Sequence, residues 1–228
     1  MIELKNATKI YNYKTPKELT ALKDVNIRIE KGNFVLLKGP SGSGKSTLLS
    51  LIAGFTHPTF GRVVVKGEDI SKLPDRFLSL FRRQNIGFIF QKFNLLDDLT
   101  LYDNLILPLI PDSIEYKELK SRAEKLLKDF SIYDKRDVLV GKLSGGQQQR
   151  AAIARALINY PDIILADEPT ANLDSKLVYE LFDILKKLKS EGKTIVVATH
   201  DERFEGLKEI DEIFTVKEGH VFNAADSD

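Results

Sequence analysis

Gly39-Pro40-Ser41-Gly42-Ser43-Gly44-Lys45-Ser46-Thr47 stands between an apolar run, Phe34-Val35-Leu36-Leu37, and a helix-forming stretch, Leu48–Ala53. The run before it reads as a buried strand and the stretch after it as a helix with a packed face. Strand, glycine-rich turn and a helix opening on Lys-Ser is the context of a P-loop. Glycines let consecutive backbone N–H groups converge on one phosphate, and the helix N-terminus adds positive dipole. Lys45 is then expected to reach the β- and γ-phosphates of a nucleotide, and the Ser46 hydroxyl to hold Mg²⁺. A merely flexible loop would not require Lys-Ser at that offset.

The chain has 228 residues, enough for one domain with an inserted subdomain. It is 43% hydrophobic and 29% charged, which supports a sizeable core. A formal net charge of +1 argues against a non-specific nucleic-acid binder, so no nucleic-acid partner is expected. The absence of cysteine excludes disulfides and thiolate zinc sites. Met1-Ile2-Glu3-Leu4-Lys5 has no signal-peptide pattern, and the longest apolar runs, such as Ile163–Ala166 and Ile195–Ala198, are strand-sized. The expectation is a cytoplasmic chain that reaches a membrane only through a partner.

Around the P-loop, the first 30 residues alternate in polarity (Ile2, Leu4, Ala7; then Leu22, Val25, Ile27, Ile29) and predict two half-buried antiparallel strands. The loop between them holds Tyr11 and Tyr13, either of which could stack on an adenine or simply pack on the sheet. Leu73–Arg83 predicts a helix with Phe77, Leu80 and Phe81 inward. Ile86–Phe90 predicts a buried strand with Gln91 at its carboxyl end, the edge where open α/β sheets bind ligands. Residues 92–111 are densely apolar but interrupted by Pro108 and Pro111. A charged amphipathic helix follows over Glu115–Phe130, with Leu119, Ala123, Leu126, Leu127 and Phe130 on one stripe. These residues suggest an inserted helical subdomain, and the apolar segment beside Gln91 is either its core or a docking surface.

Leu143-Ser144-Gly145-Gly146-Gln147-Gln148-Gln149-Arg150 opens another helix with a Ser cap and paired glycines. It forms a second anion-binding terminus without a lysine, and so completes a site begun elsewhere or is a plain capped helix. Asp162-Ile163-Ile164-Leu165-Ala166-Asp167-Glu168-Pro169 delivers two carboxylates to the end of a buried strand, the Walker B arrangement. Asp167 is expected to hold Mg²⁺ and Glu168 to orient or deprotonate the attacking water. Thr170–Ser175 is a loop closing on an N-cap, and Lys176–Ser190 is a helix with Val178, Leu181, Phe182, Leu185 and Leu188 inward. Thr194–Thr199 is a further buried strand ending at His200. Short elements near 202–208, 213–217 and 221–222 finish the chain before a polar tail at 224–228.

From about Ile2 to Phe222 the chain resembles the nucleotide-binding subunit of ABC transporters. Leu143-Ser144-Gly145-Gly146-Gln147 matches the signature of that superfamily. The order P-loop, Gln91, signature, Walker B, Leu173-Asp174, His200 also matches. Phe88–Leu96, the three glutamines 147–149 and Ala166–Asp174 are similar to the branch of lipoprotein-releasing, macrolide-efflux and cell-division ATPases, with Lys92 and Asn172 as mild variants. The resemblance implies an α/β P-loop NTPase with a mostly parallel central sheet, an N-terminal antiparallel β subdomain and an inserted α-helical subdomain. It divides the chain into a RecA-like core with the β subdomain over 1–91 and 160–228, and a helical subdomain carrying the signature over 92–159.

The resemblance also implies roles. Tyr11 matches the adenine-stacking aromatic, with Tyr13 as alternative. Gly39, Ser41, Gly42, Ser43, Gly44, Lys45, Ser46 and Thr47 match the phosphate cradle. Gln91 matches the residue that contacts Mg²⁺ or the lytic water. Ser144, Gly145, Gly146 and Gln147 match the signature that closes over ATP held by a second copy, and Asp174 the loop that crosses that interface. His200 matches the switch histidine on the γ-phosphate. Glu168, His200, Gln91 and Lys45 are thus the expected catalytic group, with Ser46, Gln91 and Asp167 on the metal. The implied function is an ATP-hydrolysing motor that dimerises head to tail and drives a permease docked near Phe90–Leu96, of the export or lipoprotein-release type. Force transmission through a membrane protein and a soluble, non-transport ATPase are the alternatives. A kinase reading fails because a kinase needs no second anion-binding helix.

Overall fold

A computed structural model describes residues 1–112, 114–171 and 173–224. The tail expected at 224–228 therefore lies, from 225 on, outside the described residues, as does Asn172.

Four strands form an antiparallel sheet: β1 (Ile2–Tyr11), β2 (Leu19–Ile29), β4 (Phe60–Val65) and β5 (Glu68–Asp69), in the order β2-β1-β4-β5. Six more form a second sheet: β3 (Phe34–Lys38), β6 (Ile86–Ile89), β7 (Ile163–Asp167), β8 (Thr194–Thr199), β9 (Glu212–Lys217) and β10 (His220–Asn223). Their order is β10-β9-β3-β8-β7-β6, parallel throughout except for the terminal pair β9-β10. The fold is the expected α/β arrangement, and Tyr11, expected in a loop, is the last residue of β1.

The apolar runs explain why the second sheet is covered on both faces. Successive strand residues point to opposite sides. Val35, Leu37, Ile163, Leu165, Val196 and Ala198 face a core shared with α1 (Lys45–Ile52) and the antiparallel sheet. Phe34, Leu36, Ile164, Ala166, Ile195 and Val197 face the opposite core, built with α5 (Gly145–Leu157) and α6 (Ser175–Ser190). Near-continuous apolar runs such as those of β3, β7 and β8 belong to strands covered on both faces, and these three are interior to the sheet. All five inward residues expected in α6 are buried.

The helical region has its own small core of Leu101, Leu105, Leu127, Ile132, Val140, Leu143, Ala151 and Ala154. It joins α3 (Leu101–Ile106), α4 (Tyr116–Asp129) and α5. The sequence did not disclose α3, which is short and capped by Thr100, whose hydroxyl accepts from the Asp103 N–H at 3.1 Å. In α2 (Asp75–Asn85) the buried residues are Leu78 and Phe81, while Phe77 and Leu80 are exposed. That corrects the expected inward face for Phe77 and Leu80: both stripes have helical spacing, and packing into the core beside β6 selects the one through Leu78 and Phe81.

Candidate nucleotide site

The carboxyl ends of the parallel strands β3, β7 and β8 lie side by side, with Lys38 opposite Thr199 and Asp167 opposite Ala198. The P-loop leaves β3 there and enters α1. Two of its glycines are required by space and by backbone. A Cβ at Gly39 would lie 2.2 Å from the Val216 carbonyl oxygen. Gly44, at φ 113°, caps α1, and a Cβ there would lie 2.6 Å from the Ala21 carbonyl oxygen. The first N–H groups of α1 have no partner within the helix and point to where an anion would sit. Ser43 Oγ is buried and has no hydrogen-bond partner among the described residues.

Lys45 is only 5% exposed. Its Nζ donates to the carbonyl oxygens of Gly39 at 2.7 Å and Pro40 at 3.1 Å, and lies 3.5 Å from Glu168 Oε1. The Ser46 hydroxyl donates to Asp167 Oδ1 at 2.9 Å. Burial pushes the Asp167 carboxyl above the usual carboxylate range, partly offset by that hydrogen bond. Hydroxyl and carboxylate are hard oxygen donors of the kind Mg²⁺ takes alongside phosphates and water. Among the described residues no group of three or more His, Cys, Asp or Glu could hold a metal by itself.

Glu168 follows β7 in the left-handed region, at φ 45°. That conformation costs about 1–2 kcal/mol in a non-glycine residue and is held by the surrounding structure. Its N–H donates to the Ala198 carbonyl at 2.8 Å. Its Oε2 accepts from the Thr199 hydroxyl at 3.0 Å and the His200 N–H at 3.4 Å, and lies 3.0 Å from His200 Nδ1. Lys45, Ser46, Asp167, Glu168 and His200, chosen from separate motifs, thus form one connected cluster.

Ser144, Gly145 and Gly146 are not in it. They open α5 and share a hollow with Arg150, Asp174 and Glu180. The cap is a full capping box: the Ser144 hydroxyl accepts from the Gln147 N–H at 3.4 Å, and Gln147 Oε1 accepts from the Ser144 N–H at 3.0 Å. Gln147 therefore spends its carbonyl on the cap. A Cβ at Gly146 would meet Leu177 of α6 at 2.8 Å. Asp174 caps α6, accepting from the Leu177 N–H at 2.9 Å. Tyr11 lies beneath Lys9 Nζ, 5.0 Å from the ring centre, and Tyr13 stands edge-on to Phe60 at 5.5 Å. Both rings are partly exposed.

Gln91 lies two residues beyond β6 and is exposed. The loop after it is fixed by side chains that sequence reasoning missed. Arg155 of α5 donates to the carbonyls of Phe93 at 2.7 Å and Asn94 at 2.6 Å. Fully buried Asn104 accepts from the Leu96 N–H at 2.8 Å and donates to the carbonyls of Leu96 and Thr100, both at 3.0 Å. Gln149, also buried, donates to the Pro169 carbonyl at 3.2 Å and so ties α5 to the loop after Glu168. Asp201 chelates the Arg203 guanidinium, accepts from Thr170, and is held at about 2, chiefly by the Arg203 hydrogen bond. A polar residue amid apolar helix positions, as at Asn104, was the available signal.

Residues 22–171 match the sequence profile of the ABC transporter family. An uncharacterized ABC transporter ATP-binding protein of Methanocaldococcus jannaschii, MJ1508, is 45% identical over 97% of both chains. The macrolide export ATP-binding/permease protein MacB of a Shewanella species is 42% identical over 91% of this chain and 32% of its own length. Among solved structures, the dimeric post-hydrolysis state of the ATP-binding cassette MJ0796 bound to ADP and Pi matches with a TM-score of 0.88 at 44% identity, over 97% of this chain and 96% of that one. The protein of that name from the same archaeon is 46% identical over 97% of this chain and 95% of its own length.

Proposed function

Since this chain belongs to the ABC transporter family, we propose that it is the ATP-hydrolysing subunit of a transporter, active as a head-to-tail homodimer around two ATP molecules. The observation that carries the reading is the split between two half-sites. Lys45, Ser46, Asp167, Glu168 and His200 cluster at the P-loop, while the capped N-terminus of α5 opens into a separate hollow. Each is incomplete alone, and a second copy supplies what each lacks. The relatedness to a cassette solved as a dimer with ADP and Pi supports the same reading.

In the proposed reaction the P-loop N–H groups and Lys45 bind the β- and γ-phosphates, and Tyr11 or Tyr13 supports the adenine. Ser46 and Asp167, with Gln91, would hold Mg²⁺, which when bound would neutralise charge on the phosphates. Glu168 orients the attacking water and takes its proton as the water oxygen bonds the γ-phosphorus, while the bond from that phosphorus to the β–γ bridging oxygen breaks and ADP leaves with that electron pair, and His200 bonds the γ-phosphate. Ser144, Gly145 and Gly146 of one copy close over the γ-phosphate bound by the other, and Asp174 lies at the crossing.

We assign residues 1–91 and 160–228 to the nucleotide-binding core and 92–159 to the helical subdomain. A groove of about 440 Å³ lies between α2, β6 and the Leu107–Pro111 segment, floored by Phe55, Phe88 and Phe90. Phe88 and Phe90 lie in ring contact, tilted 35° to each other with centres 4.3 Å apart. An aromatic, open groove continuous with the Gln91 loop is where we place the permease, bringing the chain to the membrane's inner face. No helix among the described residues is long and apolar enough to cross a membrane. The MacB relative favours export.

The test is phosphate release as a function of protein concentration. A dimer-built site gives a rate that rises with the square of concentration when the protein is dilute. Strict proportionality from nanomolar to micromolar protein would contradict it.

A further inference from the structure

We propose that Thr199 is a positioning residue that fixes the carboxylate of Glu168 for attack by water. This rests on the role given to Glu168 above. Thr199 is the last residue of β8 and is 1% exposed. Its β-branched side chain is stiff at χ1. Its Oγ1 accepts the Asp201 N–H at 3.0 Å and lies 3.0 Å from Glu168 Oε2. A carboxylate only accepts, so the hydroxyl must donate its single proton to Glu168, and the Asp201 N–H on its other side reinforces that direction.

Among the described residues, Lys45 meets the Glu168 carboxylate at Oε1, and His200 and Thr199 meet it at Oε2. Lys45 and His200 are the groups assigned to the phosphates, so nucleotide binding draws both toward the ligand. Thr199 has no such second task. It lies beside Ala198, whose carbonyl accepts the Glu168 N–H at 2.8 Å. Adjacent residues of β8 thus hold Glu168 by backbone and by side chain, and the threonine hydroxyl at 3.0 Å, with the longer His200 N–H contact at 3.4 Å, continues to orient the carboxylate once the phosphates are bound.

The experiment compares Thr199→Val, which keeps shape and loses the hydroxyl, with Thr199→Ser, which keeps the hydroxyl, and with Glu168→Gln. A hydrogen bond to a charged group sets the scale, so turnover in Thr199→Val falls on the order of ten- to a hundredfold. KM for ATP and ATP-dependent dimerisation stay at the wild-type level, the thermal midpoint falls because the Asp201 N–H loses its acceptor, and Thr199→Ser recovers both turnover and midpoint. Wild-type turnover in Thr199→Val overturns the proposal, as does a Thr199→Ser variant as slow as Thr199→Val. If valine disturbs folding, Thr199→Ala against Thr199→Ser asks the same question. Full turnover in Glu168→Gln would instead remove the role of Glu168 itself, so the two failures are distinguishable.

Discussion

Lys45 Nζ and Glu168 Oε1 form an ion pair 3.5 Å apart, with the lysine 5% and the glutamate 13% exposed. The lysine we assign to the phosphate cradle and the carboxylate we assign to the attacking water neutralise each other at the place where the γ-phosphate is expected. In the reaction we propose, ATP binding exchanges this contact for a lysine–phosphate contact, which frees Glu168 to face the water while Thr199 retains it.

Lys45→Met removes the cation and leaves a mostly buried carboxylate without it. Breaking a buried pair from one side costs about 3–5 kcal/mol in a dry interior, and Glu168 keeps its bonds to Thr199 and His200, so the lower end is expected. Urea unfolding measures it. Nucleotide titration of the same variant should show loss of ATP affinity; undiminished affinity would contradict the cradle assignment.

Asp201 should contribute to acid stability. Its folded value of about 2 lies below the ordinary 3.8. A depressed carboxylate contributes stability that is present above the unfolded value and is lost as pH falls through the folded one, here between about pH 4 and pH 2. The shift corresponds to about 2 kcal/mol at neutral pH. Asp201→Asn should lower stability at pH 7 by that order and flatten the acid dependence in that window. Parallel pH curves for variant and wild type would contradict it.

Asn104→Leu should loosen the loop that follows Gln91. The substitution leaves the Leu96 N–H and carbonyl without their buried partner, at about 1–3 kcal/mol per group. Hydrogen exchange should show lost protection around 96–104 with the β-sheet unchanged. Equal protection in both proteins would show that Arg155 alone holds the segment.

Much of this architecture is legible from local pattern. The P-loop, the Asp167-Glu168 pair and His200 each sit at the end of an apolar strand, so their arrival at one sheet edge follows from a parallel sheet. Thr199 and Arg155 are not legible in that way, because their bonds join segments 31 and 62 residues apart in sequence. The left-handed turn at Glu168 has no local signal either, since nothing in Asp-Glu-Pro asks for φ 45°. At α2, helical period alone did not distinguish the Phe77 stripe from the Leu78 stripe, and only the neighbouring core does.

Gly44→Ala tests how tightly the P-loop is built. The residue adopts φ 113°, and the added methyl would meet the Ala21 carbonyl at 2.6 Å. Strain of about 1–3 kcal/mol is expected, with weakened ATP binding because the helix N-terminus must shift. Calorimetric titration against ATP checks the second effect, and thermal unfolding the first.

The central claim is that the P-loop of one copy is completed by the signature helix of another. Sedimentation of Glu168→Gln with and without ATP tests it most directly. The variant should bind ATP, hydrolyse it orders of magnitude more slowly, and sediment as a stable dimer that returns to monomer when ATP is removed. A variant that binds ATP yet remains a monomer at all concentrations would contradict the account.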